Sequence, residues 1–129
     1  MPPAAEKNIE KSDQTNADPI LSRTQHMPAD SRFRWYSGTM GTSGVGPSTY
    51  WIDAEVTVPE QQAREWRELC SGGEPATPEV VDELRRKLTA DDFIHCPELA
   101  GIIGTGEWTT RTWLSQSKSV LVLTLVGEG

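Results

Sequence analysis

The chain has 129 residues and a formal net charge of −7, with 24% charged and 7% aromatic residues. That length suits one domain, and the acidic balance argues against non-specific binding to nucleic acid or to an anionic membrane, since both need clustered cations. No apolar stretch approaches the roughly 20 residues of a membrane-spanning helix, so no transmembrane segment is expected.

Residues 1–31 differ from the rest. They are rich in Pro, Ala, Asn, Gln, Asp and Ser and contain no aromatic residue. Such a stretch buries too little apolar area to offset its ordering entropy, so a disordered or loosely docked polar tail is expected, with Pro19-Ile20-Leu21 as an anchor on the domain. The tail carries −2 and residues 32–129 carry −5, so the acidity belongs mainly to the domain. Met1 leads into Pro-Pro-Ala-Ala-Glu-Lys without the apolar core of a signal peptide. Two readings stay open, a cytosolic protein or the mature domain of an exported one, and the spacer-like tail favours the second.

From Arg32 the pattern becomes periodic. Arg32–Ser37 reads as a strand with Phe33 and Trp35 on one face. The run Gly38–Ser48, with Gly38, Gly41, Gly44 and Gly46, reads as a hairpin loop. Thr49–Val58 alternates strictly, Tyr50, Ile52, Ala54 and Val56 against Trp51, Asp53, Glu55 and Thr57. One face of that strand should be buried and the other wet. Pro59 then opens a helix over Glu60–Leu69 that Ser71-Gly72-Gly73 stops. Thr77-Pro78-Glu79 predicts a second helix reaching Thr89, with Val81, Leu84 and Leu88 as its apolar stripe. Asp91–Ile94 reads as a short turn and Pro97–Gly106 as loop. Glu107–Ser115 reads as a strand, and Val120–Val126, apolar on both faces, as a central one. The expected fold is α+β: a four-stranded, mainly antiparallel sheet with two helices on one face, in the order β-β-α-α-β-β, over residues 32–129.

No catalytic, cofactor or metal motif stands out. The glycine loop leads into a strand and holds no lysine, unlike a phosphate-binding loop before a helix. Its alternatives are a plain hairpin tip and a binding loop, for which Gly38, Met40, Gly41, Gly44, Val45 and Gly46 are the candidate contacts. Trp66 and Trp108 read as core. Trp51 and Trp113 lie opposite the other large apolar residues of their strands; they either form an exposed aromatic contact surface or pack on each other and the tail. His95 and Cys96 are adjacent, but with Cys70 and His26 they fall short of recognisable zinc spacing. Cys70 and Cys96 are either a disulfide or two buried thiols. Asp53 and Glu55, two apart on one strand face, read as a solvated side, and Arg85-Arg86-Lys87 as a solvated helix face.

The stretch Ser48-Thr-Tyr-Trp-Ile-Asp-Ala-Glu-Val-Thr-Val-Pro-Glu-Gln-Gln-Ala-Arg-Glu-Trp66 resembles a pattern in small actinobacterial secreted proteins and lipoproteins of unknown function. There, too, an aromatic strand runs into Pro-Glu and an amphipathic helix behind a glycine-rich hairpin. The resemblance covers about a third of the domain and carries no catalytic residue. It departs from the pattern in lacking a signal peptide and a lipidated N-terminal cysteine. The resulting expectation is a non-enzymatic, cell-envelope-associated or secreted interaction domain, extracytoplasmic rather than cytoplasmic. It would need no cofactor and would bind an unidentified protein partner, for which a basic surface would suit. The alternative is a cytosolic acidic inhibitor or immunity-type protein that neutralises a basic toxin or nuclease.

Overall fold

A computed structural model describes residues 7–40 and 49–128. Seven strands form one antiparallel sheet: β1 (Lys7–Gln14), β2 (Arg32–Met40), β3 (Thr49–Thr57), β4 (Glu74–Pro75), β5 (Phe93–His95), β6 (Thr109–Ser115) and β7 (Val120–Glu128). Their order across the sheet is β1-β2-β3-β7-β6-β5-β4. Among the described residues four short helices accompany it: α1 (Asp18–Leu21), α2 (Glu60–Leu69), α3 (Asp82–Arg85) and α4 (Pro97–Ile103).

This overturns the four-stranded sheet with two helices on one face. The sheet is larger because three strands lack an apolar alternation in sequence. β1 is polar, and β4 and β5 have two and three residues. Edge strands can form through backbone pairing alone. The hairpin of β2 and β3 is antiparallel, with Trp35 opposite Ala54 and Ser37 opposite Ile52. β7 lies at the centre, paired to β3 on one side and β6 on the other. Its apolar residues on both faces are what that position requires.

One face of the sheet presents Phe33, Trp35, Ile52, Ala54, Val56, Leu114, Leu121, Leu123 and Leu125. Against it pack Ile20 of α1, Ala63 and Trp66 of α2, and Leu99 and Ile103 of α4. Cys70, just past α2, is joined by a disulfide to Cys96, just before α4, with Cα atoms 5.5 Å apart. Both cysteines are buried in the same cluster. The tail, expected to be disordered or loosely docked, is docked in its described part. Ile20 is fully buried, Gln25 N–H donates to the Ile103 carbonyl at 2.8 Å, and Thr24 bridges Gly104. The anchor expected at Pro19-Ile20-Leu21 acts through Ile20, while Leu21 stays exposed.

The opposite face presents Tyr36, Trp51, Trp113, Val120 and Val122, roofed by Val80 and Leu84. The covering segment, residues 76–90, is mostly not helical; α3 is one turn of it. The long second helix does not form because the strand beneath takes up its backbone donors. Val81 N–H donates to the Asp53 carboxylate at 2.8 Å, and Thr89 N–H and Oγ1 donate to Glu55 at 2.8 and 3.0 Å. Asp53 and Glu55, expected on a wet face, are 0% and 5% exposed. Asp53 also accepts from Lys7 Nζ of β1 at 2.8 and 3.0 Å. Burial pushes its carboxyl above the ordinary carboxylate range, against the opposing pull of Lys7, the Val81 N–H and Arg85.

Candidate functional site

The two tryptophans proposed as an exposed surface are covered. Trp51 is 0% and Trp113 1% exposed. Val80 and Leu84 pack over them, and the flanking cations close the remaining gaps. Lys7 Nζ lies 5.1 Å from the Trp51 ring centroid and the Arg111 guanidinium 5.0 Å from that of Trp113. The Trp51 indole N–H donates to the Thr39 carbonyl at 3.0 Å. These side chains are core, and the open aromatic face is withdrawn.

Among the loop candidates, Gly38 is a packing residue. A Cβ there would stand 1.7 Å from the Asn8 carbonyl oxygen, so only glycine lets β1 pair at this point. Met40 is half-buried against the second cluster. Gly41, Gly44, Val45 and Gly46 lie outside the described residues.

What the structure offers instead is a cleft of about 420 Å³ on the helix-covered face. It lies beside α1, whose Pro19 borders it. Trp35, Ser37, Tyr50 and Ile52 of the β2–β3 hairpin border it together with Trp51. Pro19 and Arg23 form a second wall, Trp108 a third, and Glu10 and Lys11 of β1 a fourth. Adjacent residues of a regular strand point to opposite faces. The register shift between Ile9 and Lys11 breaks that rule and lets Glu10 and Lys11 border the same cleft.

The walls differ in how firmly they are held. Trp35 donates its indole N–H to the Asn16 carbonyl at 2.8 Å and is 2% exposed. Trp108 lies on Gly127, where a Cβ would meet its ring at 2.7 Å. Glycine at 127 is therefore what seats this indole against β7. The Arg23 guanidinium lies over Trp108, 4.9 Å from its ring centroid. Arg23 Nη1 donates to the Pro19 carbonyl at 2.8 Å and to Ser22 Oγ at 3.2 Å. Tyr50, the register partner of Gly127, is 41% exposed. The cleft thus has a rigid indole floor, one available aromatic face and a fixed cation.

Sequence reasoning placed Tyr50 with the core residues of its strand and missed the cleft. A signal was present: Gly127, directly after the largely apolar run Val120–Val126, marks a close approach. Among the described residues no cluster of three or more His, Cys, Asp or Glu has the geometry of a metal site.

No family model and no solved structure matches the chain. One curated protein, tenellin synthetase of Beauveria bassiana, is 52% identical over 33 residues, 26% of this chain. The chain spans only about 1% of that synthetase's length, so no family follows and none of the synthetase's chemistry carries over. The match also lends nothing to the likeness with actinobacterial secreted proteins.

Proposed function

We propose that the protein is a non-enzymatic binding module of the cell envelope or the secreted fraction, with the aromatic cleft as its contact site. The observation behind this is the cleft itself: about 420 Å³, walled by Trp35, Tyr50 and Trp108, with Arg23 fixed on one side. A concave, largely aromatic site with a few placed polar groups is the usual form of a small-ligand pocket. Its one carboxylate, Glu10, sits on an exposed edge strand, and no second carboxylate or histidine borders the cleft among the described residues. Binding therefore suits it better than two-carboxylate or His-based catalysis.

The Cys70–Cys96 disulfide favours an oxidising compartment. It weighs against the cytosolic acidic inhibitor, whose support is the net charge of −7. The test is a fragment library titrated into the isotope-labelled full chain, with the five Trp indole signals as reporters. Binders are expected to shift Trp108 and Trp35 most, and Trp113, on the other face of the sheet and outside the cleft lining, least. Shifts scattered over all the indoles, or none at millimolar fragment, would sink the proposal.

A further inference from the structure

Resting on that reading of the cleft, we infer its ligand class: a small ring-bearing carboxylate, its ring on Tyr50 and its carboxylate taken by Arg23 with Lys11. Three observations converge. First, the available stacking face is that of Tyr50, since Trp108 is already occupied by Gly127 on one side and Arg23 over the ring. A single exposed ring suits a ligand of one ring, and the cleft volume lies in the lower half of the range typical of small-ligand sites.

Second, Arg23 is pre-oriented. Stacking on Trp108 and the two bonds from Nη1 fix the plane of its guanidinium, while Nη2 has no hydrogen-bond partner among the described residues. A fixed guanidinium with a spare donor suits a carboxylate oxygen, and little side-chain entropy remains to be lost on binding. Third, the cleft runs against the charge of the whole. The chain carries −7, yet Lys11 and Arg23 outnumber Glu10 here, and neither Glu10 nor Lys11 forms an ion pair among the described residues. Charges so close to a ligand outweigh the distant acids, which salt screens over about 8 Å.

A sugar acid and an aryl acid share this chemistry, so the test pairs each with its neutral twin. Methyl β-glucuronide and methyl β-glucoside, then benzoate and benzamide, are titrated into the full-length oxidised chain and followed by the Tyr50 and Trp108 ring signals. At least one acid is expected to bind roughly tenfold more tightly than its twin, the scale of one charge-assisted hydrogen bond. The pair that shows the gap identifies the source. Arg23→Gln should abolish the advantage, Lys11→Gln should reduce it, and Glu10→Gln should enlarge it. The last two lie on an exposed strand and keep the test valid if the Arg23 variant misfolds. Equal binding of acid and twin overturns the inference and leaves the cleft reading standing. An acid advantage that survives Arg23→Gln in a folded variant, or that ignores both strand variants, also overturns it. If no probe of either kind shifts the cleft signals up to about 10 mM, the inference falls, and the fragment titration alone decides the cleft reading.

Discussion

Leu121, Leu123 and Leu125 of β7 face three helices and a disulfide, whereas Val122 and Thr124, between them on the same strand, face the irregular segment 76–90. The first face is closed by apolar burial, which has no preferred direction and rewards any well-fitting shape. The second is closed by a smaller apolar cluster and two directional anchors, Asp53 to Val81 and Glu55 to Thr89. Two carboxylates on neighbouring same-face positions stand roughly 7 Å apart, two residues of strand rise. They fix where the covering segment begins and ends its crossing. A sheet face can thus be covered without a long helix, provided the strand beneath supplies acceptors for the extended backbone above.

If burial alone holds the helical face, Leu123→Ala, at a fully buried position, should cost about 2–5 kcal/mol in urea unfolding. A loss below 1 kcal/mol would mean that this cluster repacks freely and the comparison fails. The anchored face should respond less and more locally. Asp53→Ala and Glu55→Ala should each cost about 1–3 kcal/mol, because each leaves a backbone donor without its partner. Hydrogen exchange should quicken at Val81 in the first variant and at Thr89 in the second, with the Leu123 amide unchanged. Global acceleration in either variant would show that the anchors and the core are one cooperative unit.

The smallest effect is one of sign. Burial raises the Asp53 carboxyl above 3.8, so the native state keeps this proton to higher pH than the unfolded chain does. Its contribution to stability is fullest below pH 3.8 and is lost as pH rises through the raised value. Asp92 runs the other way. The hydroxyls of Ser117 and Ser115 hold its carboxyl below 3.8, so its contribution is present above that pH and lost as pH falls. The stability of the wild type relative to Asp53→Asn should therefore decline as pH rises from 3 toward 7. An increase would mean that Lys7, whose side chain is 25% exposed, outweighs desolvation after all.

Legibility in the sequence followed from how each element is stabilised. The strand Thr49–Thr57 and the helix Glu60–Leu69 carry their own apolar periods, and both appear where the pattern places them. Val120 onward reads as central because both its faces are apolar. β1 was hidden because an edge strand can be polar, and its main requirement, Gly38, lies thirty residues away on its partner. The helix at Pro97–Ile103 was masked by Gly101, although Pro97 in the first turn and the buried pair Leu99 and Ile103 are helical signals. The face of Trp51, Asp53 and Glu55 misled for a deeper reason. Alternation separates two faces but does not say which is covered, and here both are. The cleft was not legible because its walls come from separate stretches of the chain, around Glu10, Pro19, Trp35, Tyr50 and Trp108, and their meeting is a property of the fold.

The strand order has a consequence for the moment of folding. β1, β2 and β3 lie on one side of β7 and β4, β5 and β6 on the other, yet β7 follows all six in the chain. During synthesis the two groups emerge as separate three-stranded halves, each with its inner edge unpaired. Neither can complete the apolar layer beneath the helices until Val120–Glu128 arrives and hydrogen-bonds to both. Such a chain stays incompletely folded on the ribosome until its keystone strand has been made.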